Sequence, residues 1–178
     1  MFIGRSIQET AQLFDFYTTI TTRRHGTFVD WGSGRGRMLR HAREHGFSRT
    51  IGFELHPALA AGTGALVRDI VEDPVSNASA IGDAPDGILH FVYDGGLYPR
   101  LLSQAIVASL GALSTPHQAV LVVTSMCEPY DPSAQFSMVE WRRELRAVGF
   151  SKRTQPTCDI RENKYSDATM TAALYYKK

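Results

Sequence analysis

The spacing of apolar and polar positions changes repeatedly along the chain and marks out alternating strands and helices. "GTFVDWG" (26–32) and "RTIGFEL" (49–55) are short apolar bursts of the kind buried parallel strands produce. "ILHFVYDGG" (88–96) repeats that pattern, and "QAVLVVTSM" (118–126) does so with a run of β-branched residues. Between them the period becomes helical. "RGRMLRHAREHG" (35–46) reads as a helix closed by Gly46, "PRLLSQAIVASLGAL" (99–113) as a second, and "FSMVEWRRELRAVGF" (136–150) as an amphipathic third with Met138, Trp141, Leu145 and Val148 on one side.

Near the start, "SIQETAQLFDFYTTI" (6–20) predicts a helix over part of residues 1–25, with Ser6 and Glu9 spaced as a capping box. "HPALAAGTGALVRDIVED" (56–73) predicts another helix, entered at Pro57 and weakened by Gly62 and Gly64. A brief third strand is expected within "SNASAIGDAPDG" (76–87). "SKRTQPTCDI" and "TMTAALYYKK" close the chain as a hairpin of two strands. This order predicts an α/β fold: a doubly wound, Rossmann-like sheet of seven strands, mostly parallel, with an antiparallel C-terminal hairpin. Residues 1–178 are expected to form a single domain.

Composition narrows the function classes. Hydrophobic residues make up 43% and charged residues 21% of the 178, with a net charge of +1, so no overall field announces a polyanionic partner. Locally, Arg35, Arg37, Arg40 and Arg43 are crowded, and Arg23 and Arg24 precede them. Such a run ordinarily reads as a solvated helix face. Cys127 and Cys158 match no metal-ligand spacing and have no activating base beside them in sequence. His41 and His45 sit four apart but lack the H-E-x-x-H order, so no metal is implied. No run of about 18 apolar residues occurs, and the N-terminus lacks the layout of a secretion signal; an intracellular, cytoplasmic protein without a membrane segment is expected.

The chemistry-bearing stretch is "FVDWGSGRGRML". Gly32, Gly34 and Gly36 are evenly spaced, which breaks the G-x-G-x-x-G dinucleotide fingerprint at its third glycine, and no G-K-[ST] follows. What remains is an acidic residue, Asp30, ending a strand before a loop too bare for side chains to fill. Such a loop lets a ligand lie against backbone, with cationic character near the carboxylate. Glu54 ends the next strand, 24 residues beyond Asp30. A carboxylate there can accept from both hydroxyls of a ribose.

"VDWGSGRG…IGFELHP" resembles the first two motifs of the class I, seven-strand S-adenosylmethionine-dependent methyltransferases. That resemblance implies S-adenosyl-L-methionine as cofactor, held by Asp30, Gly32, Ser33, Gly34, Gly36, Glu54 and Leu55. It further implies an acidic residue for the adenine amino group after strand three: Asp83, with Ala84 beside it, or Asp69 if that strand lies earlier. The motif ending strand four reads "VYDGGLYP", which makes Asp94 the candidate proton acceptor or acceptor-orienting group and Tyr98 an aromatic wall. "DGGLY" departs from the Asn/Asp/Ser-Pro-Pro-aromatic motif of enzymes that methylate base amino groups.

Over residues 27–61 the wording is most similar to the non-SET protein-lysine methyltransferases, except that Trp31 replaces a smaller aliphatic residue. The methyl acceptor is therefore expected to be a protein side chain (lysine), then a small molecule, then RNA. A partner subunit could share in recognising it, and a catalytically silent binding module is the competing reading.

Overall fold

The computed structural model describes residues 26–94, 100–115, 117–125, 138–152, 158–161 and 169–177. The expected N-terminal helix lies outside them. Strands β1 (Thr27–Trp31), β2 (Arg49–Glu54), β3 (Leu66–Val67), β4 (Ile88–Asp94), β5 (Gln118–Ser125), β6 (Phe150–Lys152), β7 (Cys158–Arg161) and β8 (Thr169–Lys177) form one sheet. Its order is β3-β2-β1-β4-β5-β8-β6, with β7 also paired to β8. The first five strands run parallel, and β8 is antiparallel to β5, β6 and β7. The chain thus steps outward from β1 to β3, returns to place β4 on the other side of β1, and steps outward again. This reversal opens a crevice at the carboxyl ends of β1 and β4, where open α/β sheets bind ligands.

Alternation along the strands builds two cores. Val29 and Trp31, Ile51 and Phe53, and Ile88 and Val92 face one side. There they pack with helices α3 (Pro74–Ile81), α4 (Arg100–Ala112) and α5 (Met138–Ala147), through Ile81, Ile106, Leu110, Trp141 and Leu145. Phe28, Leu89, Phe91 and Leu121 face the other side, against Met38, Leu39 and Ala42 of α1 (Arg37–Glu44). Helix α1 ends as its sequence predicts. Gly46, at φ +88°, donates to Arg43 O, and Phe47 N–H reaches back to Ala42 O at 3.1 Å, a Schellman closure.

Two expectations need correction. The helix predicted from Pro57 lasts one turn, α2 (Pro57–Ala60), because Gly62 and Gly64 take left-handed φ values of +72° and +80°. The chain released there forms β3, so the third strand precedes the stretch in which it was expected. The first half of that stretch instead belongs to α3, which Asp73 caps by accepting from Ser76 N–H at 3.0 Å, with Pro74 in the first turn. The hairpin also differs in detail. Eight residues separate Phe150 from Cys158, but five separate their partners Lys177 and Ala172, so the penultimate strand is split into β6 and β7. Eight segments therefore fill seven lateral positions. Among the described residues, no helix is long and apolar enough to cross a membrane.

Candidate functional site

Asp30, Gly52 and Glu54 share the α1 side of the sheet, since Asp30 is opposite Gly52 in register and strand side chains alternate. All three meet the glycine loop or its base. Gly32, Gly34 and Gly36 have φ of +84°, +54° and +67°, so their even spacing reflects three left-handed residues in turn. The loop is fixed to three consecutive residues of β2. A Cβ on Gly52 would lie 2.6 Å from Ser33 Oγ and 2.8 Å from Ser33 Cβ, so the absent side chain makes a notch that seats Ser33. Phe53 O accepts from the N–H groups of Gly32 (2.9 Å) and Ser33 (2.8 Å). Glu54 Oε2 accepts from Gly34 N–H at 2.8 Å.

The second Glu54 oxygen, Oε1, accepts from His56 N–H at 3.0 Å, so backbone donors hold both ends of the carboxylate. Glu54 is buried, yet a carboxylate offers about four lone-pair sites and these two bonds use two of them. Two remain for a ligand's hydroxyls. Ser33 Oγ, by contrast, is buried toward Gly52 and has no hydrogen-bond partner among the described residues. Its side chain serves the seating of the loop, and only its backbone lies along the loop path. Asp30 is buried at the end of β1, between Gly52 and Phe91 in register.

Behind the loop, Trp31 turns to the opposite face, stacks on Phe53 (centroids 4.8 Å apart) and donates from Nε1 to His90 Nδ1 at 3.4 Å. The large indole is accommodated in the core, which explains how Trp31 is tolerated where a smaller residue was expected.

A cavity of about 560 Å³ lies at the carboxyl ends of β2 and β3 and the start of α3. Leu55, Val67, Arg68, Asp69, Asp73 and Asn77 are among its lining residues. Leu55 and Val67 are 53% and 55% exposed, an uncovered apolar pair suited to a planar ring. Arg68 is anchored by its N–H to Glu54 O (2.9 Å) and by Nη1 to Ser76 Oγ (2.7 Å). Asp69 Oδ1 accepts from Val71 N–H at 2.9 Å, which leaves Oδ2 with no protein partner among the described residues.

Asp83 and Ala84 are elsewhere. Both lie in the connection from α3 to β4, and Asp83 O accepts from Arg49 Nη1, at the amino end of β2. They sit at the opposite edge of the sheet from Glu54. Because β3 ends before Asp69, it is Asp69, the other residue expected for the adenine, that lies on the same rim as Glu54. Asp94 occupies the last position of β4, opposite Thr124, at the same rim as Glu54. Tyr98 lies outside the described residues. Sequence reading missed Gly52, although a glycine inside a strand is a recognised sign of close backbone approach.

No family profile matches the chain, and no curated protein matches it in sequence. Solved structures do match in fold. A TehB-like S-adenosylmethionine-dependent methyltransferase from Corynebacterium glutamicum superposes with a TM-score of 0.61 at 16% identity, over 98% of this chain and 90% of that one. An S-adenosylmethionine-dependent methyltransferase from Mesorhizobium loti gives 0.65 at 13%, over 92% and 97%. The [4+2]-cyclase SpnF gives 0.67 at 14%, over 98% and 84%. The chain has the Rossmann-like fold of class I methyltransferases.

Proposed function

We propose that the protein is a methyltransferase that binds S-adenosyl-L-methionine along this rim and delivers its methyl group to a nucleophile at the ends of β1 and β4. One observation carries the reading: Glu54 is fixed by two backbone N–H groups, one of them from the glycine loop, with accepting capacity left over, and the next residue, Leu55, lines the cavity. The residues fit the cofactor. Glu54 would accept from the ribose diol, and the backbone of Gly32, Ser33, Gly34 and Gly36 would lie against the amino-acid end near Asp30. Leu55 and Val67 would flank the adenine, and Asp69 Oδ2 would take its amino group. The cavity volume lies within the usual range of small-molecule sites. When bound, S-adenosylmethionine supplies a methyl group activated by a sulfonium centre.

The chain's own contribution is placement and proton handling. Asp94, at the last position of β4, would orient the acceptor or take its proton, and the resemblance adds Tyr98 as an aromatic wall. The wording of residues 27–61 supports a protein lysine as acceptor. The fold alone does not decide among acceptors, and SpnF, described as a cyclase, shares it.

Calorimetric titration tests the proposal. Saturable heat with S-adenosylmethionine and with its demethylated product, and none with NAD, is the expected result. The absence of both heat and thermal shift with either sulfur compound would overturn it in favour of a binding module. If binding is found, Asp94→Asn should keep cofactor affinity and lose turnover.

A further inference from the structure

The arginines beside the glycine loop differ from an ordinary solvated helix face. Arg35 lies between Gly34 and Gly36 and is exposed; Arg37 opens α1; Arg40 and Arg43 are exposed one and two steps further along the same i, i+3 row. The side chains of Arg35, Arg37 and Arg40 have no hydrogen-bond or ion-pair partner among the described residues. Arg43 is partly engaged, through Nε with Thr50 Oγ1 and through Nη2 with Thr63 O. The helix gains nothing locally from this arrangement. Its first turn holds no acidic residue and no side-chain cap, so cations stand where the helix dipole favours anions. Its only acid, Glu44, is in the last turn, tied to His41 at 3.1 Å. Arg37 and Arg40 also repel each other across one turn. With a whole-chain charge of +1, the row is a local concentration and not part of a general basic character.

Charges placed against the helix's own preference point to an external anion. The arrangement also tells which kind. Successive arginines are about 4.5 Å apart along the axis, strung out and not converging on one point, as a repeating anion requires and a single phosphate does not. We propose that this row docks the phosphodiester backbone of a single-stranded nucleic acid, whose acceptor group is thereby led to the rim at β1 and β4. This rests on the methyltransferase reading and deepens it, naming a nucleic-acid acceptor in place of the protein lysine that the wording of residues 27–61 supports. A lysine-rich protein segment would be repelled by the same surface.

Fluorescence anisotropy with labelled single-stranded RNA and DNA oligonucleotides, between about 50 mM and 200 mM salt, tests the row. The parent protein should bind at least one of them with affinity falling steeply with salt. Arg37→Glu/Arg40→Glu should weaken binding more than about 10-fold and lower the salt slope by about 1.4, the share of two single-strand phosphate contacts. Its thermal midpoint should hold or rise, since glutamate suits that end of the helix. Arg40→Ala, at an exposed position, keeps the comparison readable should the double variant misfold. A parent without salt-dependent affinity for either strand, or variants that bind as the parent does, would overturn the proposal. Cofactor titration of the same samples separates that failure from failure of the methyltransferase reading.

Discussion

The two halves of the rim are built by opposite means. Between β1 and β2 the protein satisfies itself: three left-handed glycines, a notch at Gly52 and a carboxylate held at both oxygens leave the loop fixed before any ligand arrives. At the β3 edge the strand is two residues long, Leu55 and Val67 stand exposed in the lining of a cavity, and Leu66, Val71 and Val75 are exposed as well. The difference teaches where preorganisation resides. Changes in the first half should damage fold and binding together, whereas changes in the second should touch binding alone.

The largest effect is expected at Glu54. Both oxygens accept from backbone N–H groups, so glutamine must turn an amide N–H₂ toward one donor and lose that bond. Glu54→Gln should cost about 1–3 kcal/mol of stability, and Glu54→Ala about 2–5 kcal/mol, because the alanine leaves two N–H groups without acceptors. Cofactor affinity should fall more than about 100-fold in both, a loss of about 3 kcal/mol or more. Urea unfolding and calorimetry check this. Normal stability in Glu54→Gln would break the claim that this half is built by mutual satisfaction.

Gly52 comes next. Its new Cβ in Gly52→Ala would press on Ser33 and on Leu39 Cδ1 at 2.7 Å. The leucine tip can move, but Ser33 belongs to the loop. A cost of about 1–3 kcal/mol and about a 10-fold loss of cofactor affinity are expected. Ser33→Gly in the same chain should restore the affinity, which general damage to the core would not allow.

On the open half, Asp69→Asn should weaken cofactor binding by about 10-fold, as for one charge-assisted hydrogen bond, and leave the urea midpoint unchanged. Its Oδ1 accepts from Val71 N–H in an exposed turn, and the asparagine oxygen can keep that bond. A matching loss of stability would show that this half is no less self-supporting than the other.

The same contrast governs what the sequence reveals. Strands, α1, α4 and α5 were legible because their apolar periods match a two-sided core. The glycine loop and Glu54 were legible because their chemistry is compressed into a few neighbouring residues. The β3 edge was not. A two-residue strand carries no period, and Leu66 and Val67 are too exposed to leave an apolar signature. The cap at Asp73-Pro74 was present in the sequence, yet the search for a third strand further on obscured it. That displacement carried the preferred adenine candidate, Asp83, away from the rim that holds Glu54 and Asp69.

A group remote from both halves gives the smallest expected effect and a control. Tyr175 on β8 is buried against α5, its hydroxyl donating to Met138 Sδ at 3.5 Å. Burial pushes its pKa from 10.0 to about 12, with Arg142 and Arg146 opposing weakly. The unfolded chain releases this proton near pH 10 and the folded chain only near pH 12, so the folded state holds more protons in that window. Stability is therefore complete below pH 10 and is lost as pH rises toward 12, by about 1.4 kcal/mol for each unit of displacement. Tyr175→Phe removes that dependence, and at neutral pH it costs under about 1 kcal/mol, since a thioether is a weak acceptor. Urea midpoints of the two proteins on either side of pH 10 check the sign. Cofactor affinity at neutral pH should be equal in both, because β8 reaches neither the glycine loop nor the β3 edge.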